Sequence, residues 1–297
     1  MNAQWIYVYD PPATMAGLMA SYLSRANIVY HEHDPFSPSH PGLFRKTMLR
    51  IRDLLARRAK VCVLPNVHRA RTFEAHTSAP NVVTVLNCPL RAEADATPSN
   101  KQRPRPRPLS LIYVGTIVPE RLPLSLLRAL GLLHGRVRLD VLGYEPEGAV
   151  GYGQQLKRVA ADLEVSSVFS VWGPTPADQT KRMVLGADVG VSVVPTDSDD
   201  ASLATMAGAS NKTFEYLAAG VAVLVPDEPE WRSMFVDPGY GRACDPADPV
   251  SIADALELFA ARPNETQAMG EAGRQKVLSE WNYETQFASV VDMMEAL

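Results

Sequence analysis

Short apolar runs rich in β-branched and aromatic side chains alternate with segments of helical length along most of this chain, and that alternation restricts the fold more than any other feature. In the first third the runs are Trp5 to Tyr9, Asn27 to Tyr30, Val61 to Leu64 and Val82 to Leu86. Helical patterns at Ala13 to Ser24 and Leu43 to Lys60 fall between them. A strand that returns to its sheet through a helix returns parallel, so the pattern predicts βαβ units and an α/β fold.

Residues 91–108 (RAEADATPSNKQRPRPRP) interrupt the alternation with almost no large apolar side chain. Repeated proline fixes φ and removes donors, so this stretch reads as a linker with neither helix nor strand. The alternation then resumes with Ser110 to Val114, Arg138 to Leu142, Val168 to Trp172, Val189 to Val194 and Val221 to Val225, and a shorter candidate near Gly241. With 297 residues, the expected division is two Rossmann-like domains. The first covers 1–100, a linker 101–108, and the second 109–282. The tail 283–297 forms a helix whose apolar positions Phe287, Val290, Val291 and Met294 share one face.

Hydrophobic residues make up 46% and charged residues 21%, enough apolar material for two cores, which excludes a disordered chain. Cys62, Cys88 and Cys244 are scattered and odd in number, so neither a disulfide framework nor a zinc knuckle is offered, no metal ligand set is expected, and a cytoplasmic setting fits. Asp10, Pro11 and Pro12 break the beginning of the chain before a secretory leader could form. The net charge of −4 conceals an asymmetry: residues 1–108 carry net +8 and the remainder net −12, which suggests two domains with different partners.

Two stretches can carry chemistry. Tyr113-Val114-Gly115-Thr116 ends a predicted strand, and Glu120-Arg121 follows ahead of a helix. Ligands of open α/β sheets bind at the carboxyl ends of strands, where a glycine admits a phosphate and Arg121 could pair with it. Taken alone, this reads sooner as a strand-ending turn glycine and a solvated arginine. The second stretch is Ser210-Asn211-Lys212-Thr213-Phe214-Glu215, which opens a helix that ends at Gly220 and passes into a strand. The N-terminus of such a helix is an anion site that Lys212 would reinforce, with Glu215 one turn on.

The run NKTFEYLAAGVAVLVP resembles the signature helix of GT-B glycosyltransferases, especially the retaining, metal-independent enzymes of glycosyltransferase family 4. The resemblance extends to Gly115-Thr116 with Glu120-Arg121, to Val171-Trp172-Gly173-Pro174-Thr175-Pro176 and to Ala187-Asp188-Val189-Gly190-Val191, covering nearly all of 109–297. It implies a nucleotide-diphospho-sugar of the UDP or GDP type as co-substrate, with no separate cofactor. Gly115, Thr116, Arg121, Ser210, Asn211, Lys212 and Thr213 would bind this donor, with Arg121 and Lys212 neutralising its diphosphate, Glu215 accepting from its ribose, and Trp172, Gly173 and Pro174 in the loop that cradles its base. It also implies a last helix that crosses back to the first domain. Tyr30-His31-Glu32-His33-Asp34 resembles the family's strand-end Tyr-Asp-x-His-Glu pattern, which gives His33 the catalytic slot beside the donor sugar or its phosphates.

Two departures stand out. Ala207 occupies a position where the family commonly has a glutamate, leaving the loop Asp197 to Gly208 to supply the contact. Trp5 to Pro12 matches the family's fourth strand, so the first domain is expected to be shortened at its N-terminus, with an open sheet edge suited to self-association or a partner. The reading is a sugar transfer to a saccharide or lipid-linked acceptor. Its alternatives are a non-catalytic or partner-dependent donor-binding subunit and a nucleotide-sugar epimerase. Finally, Leu43 to Lys60 carries Arg45, Lys46, Arg50, Arg52, Arg57, Arg58 and Lys60 among apolar residues at helical spacing. Such a helix either packs on the core with a solvated basic face or lies on an anionic membrane, making the protein peripheral at its inner face. Nucleic acid is not expected, because no stacking aromatics are interleaved with the basic residues.

Overall fold

The computed structural model describes residues 3–34, 42–97, 107–194 and 205–296, and these fall into two compact α/β units. The first unit gathers Met1–Asn87, Asp200–Ala209 and Tyr283–Leu297; the second gathers Cys88–Asp199 and Ser210–Asn282. The Arg/Pro-rich residues 98–106 and positions 195–204 of the loop before the signature helix lie outside the described residues.

The first unit is built on a parallel sheet of β1 (Trp5–Tyr9), β2 (Asn27–His31), β3 (Val61–Leu64) and β4 (Val82–Thr84), ordered 1-2-3-4. Its central strands β2 and β3 are buried on both faces, so their side chains sort with period two. Ile28, Tyr30, Cys62 and Leu64 point into one core with Leu55, Ala56 and Phe73, whereas Val29, Val61 and Val63 point into another with Val290. Helices α1 (Thr14–Leu23), α2 (Gly42–Arg58) and α3 (Val67–Thr77) serve the first core. The C-terminal helix Tyr283–Glu295 closes the second, through Val290 and Phe287. α1 presents its small face inward: Thr14, Gly17 and Ser21 are buried, and a Cβ on Gly17 would stand 2.5 Å from Val8. Met15, Met19, Tyr22 and Leu23 therefore face outward. In α2 only Leu55 and Ala56 are fully buried, and Leu43 and Leu54, one of the apolar residues of its pattern, lie exposed among the basic residues.

The second unit opens where the sequence reads as linker. Arg91–Asp95 forms a short helix, α4. Local chemistry outweighs composition here: Glu93 Oε2 accepts from the Leu90 N–H at 3.3 Å, Ala94 is buried, and the Ala94 carbonyl takes a hydrogen bond from Arg274 at 3.0 Å. The sheet of six parallel strands has the order β10-β9-β8-β5-β6-β7, with β5 Leu109–Val114, β6 Val137–Leu142, β7 Phe169–Gly173, β8 Val189–Val191, β9 Ala222–Pro226 and β10 Gly241–Cys244. β8 stops three residues short of the predicted run, the chain continuing as buried loop through Val194. Helices α5 (Leu124–Leu132), α6 (Tyr152–Asp162), α7 (Ala177–Leu185), α8 (Asn211–Ala218), α9 (Pro249–Ala261) and α10 (Pro263–Ser279) cover the sheet. The strand order reverses between β8 and β5, and in such sheets the crevice above the strand ends at this point is where ligands sit.

Candidate functional site

Three neighbouring strands of the second unit each run into a glycine: β5 into Gly115, β6 into Gly143, and β7 ends on Gly173. All three have positive φ, +152°, +144° and +73°. Their backbones remain laced together beyond the sheet, because Gly115 N–H donates to Leu142 O and Gly143 N–H to Gly173 O, both at 3.0 Å. Gly143 is required by close approach as well as by φ, since a Cβ there would stand 1.7 Å from the Gly115 carbonyl oxygen. The result is a strand edge with no side chain at these three positions, where backbone is on display.

Helix α8 is tied to this edge beside the strand-order reversal. Tyr216, fully buried on α8, receives the Val114 N–H of β5 on its hydroxyl at 2.8 Å. Its ring fits only because residue 190 of β8 is glycine; a Cβ there would lie 2.2 Å from the ring. Asp188, just before β8, accepts from both Arg107 terminal nitrogens (2.8 and 2.6 Å) and from Ser110 N–H (2.9 Å), fixing the entry to β5.

At the start of α8 stands Lys212. Its side chain is buried, its Nζ has no hydrogen-bond partner among the described residues, and it lies 4.5 Å from the centre of the Tyr113 ring. A Cβ on Gly115 would come within 3.2 Å of that Nζ, so the glycine leaves the ammonium room. Burial, and next the positive charge of Arg121, push the Lys212 pKa down to about 7, with Glu215 opposing. Ser210, the residue preceding the helix, is buried with its Oγ unpartnered and gives α8 no side-chain cap. Asn211 is exposed and reaches the Glu215 carboxylate at 3.4 Å. Desolvation and the nearby Glu93 raise the Glu215 pKa although its side chain still reaches solvent, with Lys212 lowering it.

The structure thus gathers Gly115, Arg121, Lys212, Glu215, Ser210 and Asn211 at one strand edge. Thr213 faces the other way, its hydroxyl on Ser192 Oγ at 3.3 Å in the core. Thr116 offers its carbonyl to the Tyr113 hydroxyl at 2.6 Å. Trp172 is half exposed at the end of β7, its indole N–H donating to Asp140 of β6 at 2.9 Å, with Pro174 exposed beyond Gly173. Ala207, in the first unit, is buried and contributes its carbonyl to Asn66 Nδ2 at 3.0 Å. Sequence reasoning gave no role to Gly143 or Glu93, nor to Tyr113 and Tyr216 inside the motifs it singled out; a glycine following each of three successive strands was the available signal for the first.

His33 belongs to the first unit, in the loop after β2. Its ring stacks on that of His31 with centroids 4.0 Å apart, and the Tyr9 ring lies 5.0 Å away. His31 is fully buried and shares a hydrogen bond through Nδ1 with the Tyr7 hydroxyl. Burial, helped by His33, lowers the His31 pKa to about 3, so it is a neutral imidazole. Burial also holds His33 below its ordinary value, against the pull of Asp10 and Asp34. No cluster of metal-ligating side chains occurs among the described residues.

The family model described as glycosyl transferase-like matches residues 126–292, more than half of the chain. A GDP-mannose-dependent alpha-(1-6)-phosphatidylinositol monomannoside mannosyltransferase of Mycolicibacterium smegmatis is 28% identical over 187 residues, 62% of this chain. The chain spans about half the length, 47%, of that curated relative. Among solved structures, HepE of Anabaena in complex with UDP and glucose has a TM-score of 0.75 at 17% identity, covering 99% of this chain and 78% of that one. A glycosyltransferase of Rickettsia africae has a TM-score of 0.74 at 12% identity, covering 99% and 77%. At such identities the likeness establishes the fold, which is α/β with parallel sheets of the GT-B class. With the family model spanning β6 to β10 and the whole of α8, the chain belongs to the glycosyl transferase-like family.

Proposed function

We propose that this protein is a glycosyltransferase that takes a sugar from a nucleotide-diphospho-sugar and passes it, with retention and without a metal ion, to a saccharide or lipid-linked acceptor. The observation that carries the proposal is the Lys212 ammonium, buried and unpartnered at the uncapped start of α8 beside the side-chain-free Gly115. Burying a cation without a partner is costly, and a diphosphate is the ligand that relieves that cost. Lys212 and Arg121 then neutralise the charge that grows on the departing nucleotide diphosphate, the task a metal ion performs elsewhere. Helix N–H groups add donors, Glu215 accepts from the ribose, and Trp172 with Gly173 and Pro174 lies along the base. His33 hydrogen-bonds the donor sugar or its phosphates from a neutral imidazole. The mannosyltransferase of M. smegmatis favours a GDP donor and the Anabaena complex a UDP donor, so both belong in the assay. The test is transfer from UDP- and GDP-sugars, with the anomeric configuration of the product read by NMR. Transfer with retention that Lys212→Ala removes supports the proposal, and donor binding without transfer to any acceptor would leave only a binding subunit.

A membrane-facing role is favoured by the outer surface of the first unit. Met15, Met19, Tyr22 and Leu23 form one uncharged, exposed face of α1, and beside them Leu43, Lys46, Arg50, Leu54 and Arg57 face outward from α2. The two helices meet where Arg58 stacks over the Tyr22 ring at 4.2 Å and donates to Ser21 at 3.2 Å. Apolar side chains flanked by cations suit an anionic leaflet at the cytoplasmic side, where a lipid-linked acceptor would be reached. No helix among the described residues is long and apolar enough to cross a membrane.

A further inference from the structure

Asp10, the residue that follows β1, has φ +56° and ψ 162°. That region is essentially reserved for glycine, because a Cβ clashes with the backbone there. Asp10 nevertheless keeps the ladder going, its N–H donating to the His31 carbonyl at 2.8 Å, and starts the turn at Pro11–Ala13. Glycine would do both without strain. What glycine lacks is the carboxylate, and Oδ1 of Asp10 accepts from the backbone N–H of His33 at 2.7 Å and of Asp34 at 3.3 Å.

The same residue is gripped from its other main-chain group. Arg69, on α3, donates through Nη1 to the His33 carbonyl at 2.7 Å and through Nε to the Thr205 hydroxyl at 3.0 Å. An anion from the end of one strand and a cation from a helix thus hold both backbone polar groups of a single loop residue. Charge-assisted bonds of this kind are the stronger class of hydrogen bond. Meanwhile the ring lies flat on His31, which the Tyr7 hydroxyl anchors, and Nδ1 of His33 is buried with no partner among the described residues. A loop that needed only to turn would call for none of this.

We propose that Asp10 and Arg69 are positioning residues that fix the His33 imidazole in one orientation, Asp10 at the expense of its own backbone. This deepens the reading of the protein as a glycosyltransferase in which His33 meets the donor, and it rests on that reading for its purpose but not for its geometry.

The experiment compares the full chain with Asp10→Gly and Asp10→Asn, following the His33 ring by NMR together with melting temperature, UDP and GDP affinity and sugar transfer. Asp10→Gly is expected to melt no lower than wild type, since the strained backbone relaxes, while the His33 signal broadens or moves toward that of an exposed histidine. Transfer should fall at least tenfold, through kcat, with nucleotide affinity unchanged. Asp10→Asn, whose amide oxygen can accept the same bonds, should restore the His33 signal and most of the transfer. An unaltered His33 signal in Asp10→Gly overturns the proposal, as does a signal lost equally in Asp10→Asn. If the His33 signal responds as expected but wild type neither binds nucleotide diphosphate nor transfers, the clamp stands and the glycosyltransferase reading falls.

Discussion

The Nζ of Lys212 lies 4.5 Å from the centre of the Tyr113 ring, so the buried cation rests on a π-face instead of an oxygen. A ring offers an ammonium partial compensation, about 0.5 to 2 kcal/mol, well short of what burial costs it. Burial and the charge of Arg121 bring the lysine's pKa down to about 7, so ammonium and amine are both present near neutral pH.

Nucleotide binding should consequently take up a proton. A diphosphate beside Lys212 returns its pKa toward the ordinary range, so at pH 8 the free protein carries the amine and the complex the ammonium. Calorimetric titrations with UDP or GDP in two buffers of different ionisation enthalpy should show an uptake close to one proton, and affinity should fall by up to about tenfold per pH unit above 7. Heats that do not depend on the buffer would contradict this.

The same lysine should cost stability below neutrality. Its folded pKa is lower than its unfolded one, so between about pH 7 and 10.5 the unfolded chain binds more protons and stability rises with pH. Lys212→Met removes the effect. Its gain in melting temperature over wild type, corresponding to up to a few kcal/mol, should be greatest below pH 7 and shrink toward pH 10.

Gly143→Ala should damage the strand edge. A Cβ 1.7 Å from the Gly115 oxygen cannot be accommodated without moving the loop, and the φ of +144° resists any other residue. We expect a loss of about 2 to 4 kcal/mol, read as a drop in melting temperature, with weakened nucleotide binding because Gly115 is displaced.

Strands and the α8 motif were legible because their signals are local: apolar runs of strand length, and a helix start marked by Ser210, Asn211 and Lys212. What was not legible depends on tertiary partners. In the sequence Asp10, Pro11 and Pro12 only break the first apolar run, and the fold alone shows the strained Asp10 reaching the backbone of His33. α4 hides in a tract dominated by proline and arginine because Arg274, 180 residues on, supplies its anchor. Helical spacing grouped Leu54 with Leu55 among the apolar residues of α2, whereas in the fold Leu55 and Ala56 are buried and Leu54 is exposed.

The outer face of α1 and α2 should carry the protein to anionic vesicles. Sedimentation with acidic lipid should show binding that falls steeply with salt, since charge attraction is screened within about 8 Å at physiological ionic strength. Met19→Ser with Leu23→Ser should weaken it at every salt concentration, and Arg50→Ala with Lys46→Ala should remove its salt dependence. Equal binding to neutral vesicles would contradict the assignment.

The central claim is that Lys212 and Arg121 hold a nucleotide diphosphate, and calorimetric titration of the full chain with UDP, GDP and ADP at pH 7 tests it most directly. The account predicts a dissociation constant below millimolar for at least one of them, weakened about tenfold to a hundredfold by Lys212→Ala or by Arg121→Ala, the loss of one charged contact. Failure of all three nucleotides to bind, or variants that bind as tightly as wild type, would contradict it.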